Sequence, residues 1–196
     1  AGVVGGGSLV AGAKLVTGLQ GRGLVWGDKG IVEVNLDQKT AAVAAEPDEQ
    51  WGEIVDVKGF GGNMYLLDKG KSQVWKHAGG EGKFGAATAW FKPGVKPDLS
   101  EAVAMAIDGS VWLVTRTGKV VKYTRGSPEA FEIAGLDEPL QEPEGIYADA
   151  DSQRLYVLDK GNRRVVVVDK GGEYQAQYRW EGIDQVTDMV AAEAAK

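Results

Sequence analysis

Apolar residues in this chain fall in short runs closed by Gly, Asn, Asp or Ser, a pattern that predicts strands rather than helices. Residues 54–57, 102–107 and 145–149 carry few charges, as strands buried on both faces do. They are expected to be the innermost strands of three repeats. An aromatic run follows each one: 62–68 around Tyr65, 110–115 around Trp112 and 154–159 around Tyr156. Turns such as Asp68-Lys69-Gly70-Lys71 and Asp159-Lys160-Gly161-Asn162 come next, where Gly can supply the positive φ of a hairpin. Third strands are predicted over 73–76, 119–123 and 164–168, and outer strands over 174–178 and 130–133. Helix signals are thin. Residues 98–102 could make one turn behind Pro93 and Pro97, and the tail 190–196 holds helix formers but is too short to be stable alone.

The aromatic run is a repeated phrase. Asn63-Met64-Tyr65-Leu66-Leu67-Asp68-Lys69-Gly70 returns as Arg154-Leu155-Tyr156-Val157-Leu158-Asp159-Lys160-Gly161, with weaker copies at 110–115 and 23–30. The aligned Val25, Tyr65, Trp112 and Tyr156 are spaced by 40, 47 and 44 residues. Self-similarity at this period marks a β-propeller. The expected fold is therefore all-β, a β-propeller of 40–47-residue repeats with four blades, or alternatively an incomplete five-bladed ring. Residues 185–190 read as a further inner strand without partners, while the first repeat has strands at 24–26 and 31–34 but no clear inner one. Joining the two ends would complete one blade and remove exposed edges. Residues 1–20 are expected to be a Gly-rich leader or edge strand, with 14–17 an inner or outer strand and the propeller over 21–196.

The phrase from Leu155 to Val165, with its Asp159-Lys160-Gly161-Asn162-Arg163-Arg164-Val165 turn, resembles the NHL repeat, in which an aromatic strand ends in Asp-x-Gly-Asn-x-Arg-Val. The likeness extends over 146–178, is fair over 54–77, and weakens over 103–125, where Thr115-Arg116-Thr117-Gly118 replaces the turn, and over 22–36. NHL propellers usually have six blades, more than this chain has room for. A second likeness, through Trp51 to Val57, Lys92 to Leu99 and Trp180 to Val186, is to bacterial propeller segments lying behind a phosphatase-like module and a membrane segment. It implies a sensor or docking domain outside the membrane.

At 196 residues and 43% hydrophobic, the chain is long and apolar enough for a sizeable core. Its 29 Gly residues are about double the usual share of roughly 7%, which suits many tight turns. The lack of Cys excludes disulfides and thiolate chemistry. A net charge of −6 argues against nucleic acid as a partner, and Arg163-Arg164 reads as a solvated turn. The apolar amino-terminal stretch is shorter than the roughly 20 residues a membrane span needs, so no direct membrane insertion is expected.

Each candidate site has a plainer reading beside it. Val3 to Gly12 with Asp28 suggests a dinucleotide fingerprint, but Gly12 does not follow Gly7 at the required spacing and no helix is predicted after it. The single histidine, His77, ends a strand and is expected to lie at the surface rather than in a Ser-His-Asp site. Asp28, Asp68 and Asp159 close second strands, where a carboxylate can accept turn N–H groups. Asp56, Asp149 and Asp188 are the candidate cation ligands if they face a central channel, since hard cations take oxygen ligands. Asp149-Ala150-Asp151-Ser152 starts like a calcium loop but lacks the later Gly and Glu. Trp90, Phe91 and Lys92, on the long connection 78–99, and Trp180, in a connection or outer strand, are the candidate ligand-binding residues.

The leading expectation is a non-catalytic binding or scaffold module that recognises a protein, peptide or glycan through loops on a rigid frame, without a cofactor. The alternatives are a cation-dependent lactonase- or lyase-like propeller enzyme and a self-assembly module. A monomer or a homodimer through terminal strands is expected.

Overall fold

A computed structural model of the chain describes residues 3–4, 7–8, 14–19, 22–27, 30–35, 37–80 and 84–191. The short strands β1 (Val3–Val4) and β2 (Gly7–Ser8) pair with each other. Everything after them is organised as four antiparallel sheets of four strands. The first holds β3 (Lys14–Leu19), β4 (Arg22–Gly27), β5 (Gly30–Asn35) and β6 (Thr40–Ala45). The second holds β7 (Ile54–Phe60), β8 (Asn63–Asp68), β9 (Gln73–Gly79) and β10 (Phe84–Ala89). The third holds β11 (Ala102–Ile107), β12 (Ser110–Thr115), β13 (Val120–Thr124) and β14 (Ser127–Glu129). The fourth holds β15 (Pro143–Ala148), β16 (Arg154–Asp159), β17 (Arg164–Asp169) and β18 (Tyr174–Tyr178). In every sheet the strands pair in chain order, which is the meander of a propeller blade.

The chain divides into two compact units, Ala1–Trp90 and Phe91–Lys196, each with two blades. Within each unit the first strands of the two sheets lie side by side, β3 with β7 and β11 with β15. Blade stacking explains why the middle strands lack a polar face. In β17, five consecutive residues from Arg164 to Val168 are buried, as are Met64–Asp68 in β8. The core of the second unit centres on Trp112, Val114, Leu155, Val157, Val166 and Val168. That of the first centres on Leu24, Ile31, Val57, Met64 and Leu66. Fully burying one such side chain stabilises by about 1.5–3 kcal/mol.

The aligned Val25, Tyr65, Trp112 and Tyr156 all fall on the second strands, β4, β8, β12 and β16. Three expectations require correction. The outer strand of the third blade is Ser127–Glu129 rather than 130–133, because Arg125 (φ 51°) and Gly126 (φ 77°) turn the chain immediately after Thr124. Residues 186–190 form no strand. They follow a 3-10 turn at Ile183–Gln185, and Val186 and Met189 pack on Leu158, Val165 and Ile183. The first sheet draws its four strands from 14–45, so among the described residues no blade is shared between the two ends. Residues 98–102 make a bare turn, Ala102 N–H donating to the Leu99 carbonyl. The strand β3 also lies within the stretch assigned to a leader or edge strand, and it is an edge strand of the first sheet. Asp28, most of the Gly-rich opening and the tail 192–196 lie outside the described residues. No described helix is long and apolar enough to cross a membrane.

Candidate functional site

The turn motif that repeats in the sequence holds the connections between blades. Asp159, fully buried at the end of β16, accepts from the Gln141 backbone N–H (2.7 Å) and from Asn162 Nδ2 (2.9 Å). Arg164 opens β17 and is equally buried. Its Nε donates to Asp159 Oδ2 (2.6 Å), and its other nitrogens donate to Asp137 (2.9 Å), Gln177 (2.9 Å) and the Glu138 carbonyl (2.5 Å). Burial alone would lower the guanidinium's pKa, but the hydrogen bonds it donates to Asp159 and Asp137, with their negative charges, outweigh it and the group is held charged. The motif glycine completes the joint. Gly161 N–H donates to the Gln141 carbonyl, and a Cβ on Gly161 would meet that oxygen at 2.6 Å. The second blade repeats the device with different chemistry. Asp68 Oδ2 accepts from Gly52 N–H (2.7 Å) and from the Trp75 indole (2.9 Å) where the fourth blade uses arginine.

The fourth-blade joint holds the connection that forms one wall of a groove in the second unit. Between the β12–β13 turn and the connection 131–140 lies a cavity of about 550 Å³. Its apolar lining comes from Val120, Phe131, Ile133, Leu136, Pro139 and Leu140, and its charged lining from Lys119 and Glu132. Phe131 is held edge-on against the buried Trp112, with centroids 5.0 Å apart and planes at 81°. Leu140 is fixed from the other side, its carbonyl resting against Gly118 so closely that a Cβ there would meet it at 2.3 Å. The groove is therefore rigid at its base, and its charged residues are exposed at its rim.

Of the residues expected to bind a ligand, Trp180 is about half exposed (48%) and Lys92 is exposed. Trp90 is half-buried and its N–H donates to the Val74 carbonyl. Phe91 is buried, packed edge-on against Tyr123 at 4.8 Å, so it serves the core rather than a loop tip. None of the four lines the groove. The lining residues Phe131 and Ile133 fall in the stretch 130–133 whose pattern predicts an outer strand, and Leu136 and Pro139 carry no motif that singles them out.

Asp56, Asp149 and Asp188 each have local employment. Asp56 is buried, accepts from Val57 N–H and pairs with Lys58 at 3.5 Å. Asp149 caps Asp151 N–H (2.8 Å), while its backbone carbonyl accepts from Lys170 Nζ (2.7 Å). Asp188 is exposed and accepts from Met189 N–H. Among the described residues, no three His, Cys, Asp or Glu side chains gather into a metal-ligating group. His77 is not at the surface as expected but 3% exposed. Its Nδ1 bonds to the Gly85 carbonyl (2.8 Å) and its ring meets Trp51 edge-on at 5.6 Å. The strand β10, absent from the predicted elements, is what covers it.

The fold defines the class of protein: a β-propeller. Solved structures agree. The chain is similar to a streptogramin B lyase (TM-score 0.58, 14% identity, 88% of this chain and 55% of that one). It is also similar to a chain of a nidogen/laminin complex (0.60, 12%, 86% and 64%). A third likeness is to regucalcin, a calcium-binding protein from Agrobacterium tumefaciens (0.57, 17%, 89% and 61%). The chain thus spans between 55% and 64% of the length of these propellers, and at such identities the likeness shows the fold alone. The chain matches no protein-family model and no curated protein.

Proposed function

We propose that this chain is a non-catalytic binding module and that its groove in the second unit receives a polypeptide. One observation carries the reading: an apolar trough of about 550 Å³ with two charged residues, set on a base fixed by Trp112 and Gly118. Pockets of this size with mostly apolar walls and few polar groups suit side-chain recognition. The lining offers no polar array of the kind a glycan needs. A propeller in the nidogen/laminin complex supports partnership with protein, and the lyase among the similar structures keeps catalysis as the second reading. The Asp159–Arg164 joint supports kinship with NHL repeats, and a sensor or docking role outside a membrane fits the same module.

The test is selection from linear peptide display and a glycan array on the intact chain, repeated with Leu136→Asp. Peptides that lose binding about tenfold or more in the variant are the expected result. Binders of either kind that are indifferent to Leu136, or glycans alone, would overturn the assignment of the groove.

A further inference from the structure

The third blade is short of outer strand where the groove lies. The strand β18 covers β17 from Val165 to Val168, β10 covers β9 from Trp75 to Gly79, and β6 covers β5 from Ile31 to Asn35. The strand β14 covers only Lys122 to Thr124 of β13. Thr115 N–H donates to the Lys119 carbonyl at 2.9 Å, so the main-chain groups of β13 that face away from β12 are those of Val120, Lys122 and Thr124. Glu129 and Ser127 stand opposite Lys122 and Thr124, and no residue of β14 stands opposite Val120.

The chain that would have continued the outer strand goes elsewhere. After Glu129 it runs to the fourth blade, where Ala134 N–H donates to the Gly172 carbonyl (2.9 Å) and Tyr174 N–H donates to the Ala134 carbonyl (3.0 Å). Lys122 and Thr124 both bond the Glu129 carboxylate, fixing the point of departure. The groove is bounded by the open edge at Lys119 and Val120 on one side and by the diverted segment at Phe131, Ile133 and Leu136 on the other.

Resting on the reading of this groove as a polypeptide site, we infer that its occupant is an extended segment of a partner that pairs with β13 at Val120, completing the missing outer strand. Strand addition takes affinity from main-chain bonds and specificity from pockets for alternate side chains. Here the open N–H and C=O of Val120 supply the first, and the apolar trough supplies the second. The segment fitting both has aliphatic side chains at alternate positions, with Lys119 and Glu132 at the rim to select opposite charges at its flanks.

Amide exchange followed by NMR on the 196-residue chain tests this directly. In the free protein the Val120 amide should exchange roughly tenfold or more faster than that of Val121, which faces β12. Equal protection of the two would show the edge already paired and overturn the inference. The probe is the peptide acetyl-Glu-Val-Thr-Val-Thr-Val-Lys-amide at about 1 mM, within the range expected for a short strand. It should slow Val120 exchange at least about threefold, whereas its analogue N-methylated at alternate residues on each edge should not. Val120→Pro, which removes the outward-facing N–H along with part of the buried side chain, should abolish the chemical-shift changes that the peptide causes at the amides of Ile133 and Leu136 in the wild-type chain. Equal binding by the methylated analogue, or Leu136-dependent display peptides that leave Val120 exchange unchanged, would overturn strand pairing and leave the groove a polypeptide site. Absence of any polypeptide binding would overturn both.

Discussion

Arg164 Nε lies 2.6 Å from Asp159 Oδ2, and both side chains are fully buried. A buried pair of this kind is held by what surrounds it. Asp159 also takes the Gln141 N–H, and Arg164 reaches Asp137 and the Glu138 carbonyl, so the pair ties the connection 137–141 to the fourth blade. Removing one partner strands the other charge in the core, at a cost of about 3–5 kcal/mol. Arg164→Met is therefore expected to lower the urea midpoint strongly. Arg164→Met combined with Asp159→Leu should recover part of the loss, because no uncompensated charge remains.

In the second blade the carboxylate takes an uncharged donor instead, from Trp75, two residues beyond the Gln73 that stands opposite Asp68. Trp75→Phe deletes the indole N–H that Asp68 Oδ2 accepts, while Gly52 and Lys71 N–H still satisfy the carboxylate. The expected loss is that of one hydrogen bond to a charged group, about 1.5–3 kcal/mol, and smaller than that of Arg164→Met. Chemical denaturation of the two variants side by side measures the difference.

The glycine of the joint gives a steric counterpart. A Cβ at Gly161 would meet the Gln141 carbonyl oxygen at 2.6 Å and its carbonyl carbon at 3.0 Å, backbone atoms that cannot swing aside as a flexible side chain would. Gly161→Ala is expected to destabilise by more than 1 kcal/mol, roughly the scale of overpacking. Its effect should be well above that of Gly85→Ala, where the added Cβ would meet only ordinary contacts, the nearest the Ala78 carbonyl oxygen at 3.5 Å. Thermal melts of both variants decide it.

Much of the fold was legible because the phrase around Tyr65, Trp112 and Tyr156 is both a strand and a packing unit, so its period reports the blade directly. Asp68 and Asp159 were legible in part, since Lys71 N–H and Asn162 Nδ2 lie in the adjoining turns, whereas Gly52 N–H and Gln141 N–H come from distant connections. The outer strands were less legible. Those at Thr40–Ala45 and Phe84–Ala89 are made of small residues with little alternation, and they are fixed by the strand they pair with rather than by their own pattern. The groove was hidden for a further reason. Phe131 and Ile133 read as a strand locally, and only the bonds of Ala134 to the fourth blade pull them away. Such non-local competition leaves no trace in spacing.

Phe91 and Trp180 separate packing from recognition by a direct contrast. Phe91 is buried against Tyr123, and truncation to Ala is expected to cost about 3–5 kcal/mol. Trp180 is half exposed, with no ring partner among the described contacts, and Trp180→Ala should shift stability by about 0.5 kcal/mol or less. If Trp180 anchors a ligand, the variant keeps its melting temperature and loses binding. A large drop in melting temperature would instead make it a packing residue.

The single histidine makes stability depend on pH near neutrality. Since the Gly85 carbonyl can only accept, His77 Nδ1 carries the proton in the neutral ring, leaving Nε2 as a bare acceptor that is buried without a hydrogen-bond partner. Adding a proton at Nε2 would place a charge in a buried site with no acceptor to receive it. Burial accordingly lowers the pKa from its ordinary 6.5, against smaller opposing pulls from the Gly85 carbonyl and Asp48. With the folded value below the unfolded one, the unfolded chain binds more protons between the two. This contribution to stability is full above about pH 6.5 and is lost as pH falls through the folded value. Urea midpoints should be flat from about pH 8 to 6.5 and should decline from there toward about pH 5. His77→Leu should remove that decline while lowering the midpoint at all pH values through loss of the Gly85 bond. A wild-type midpoint that stays constant down to about pH 5 would place His77 in contact with water.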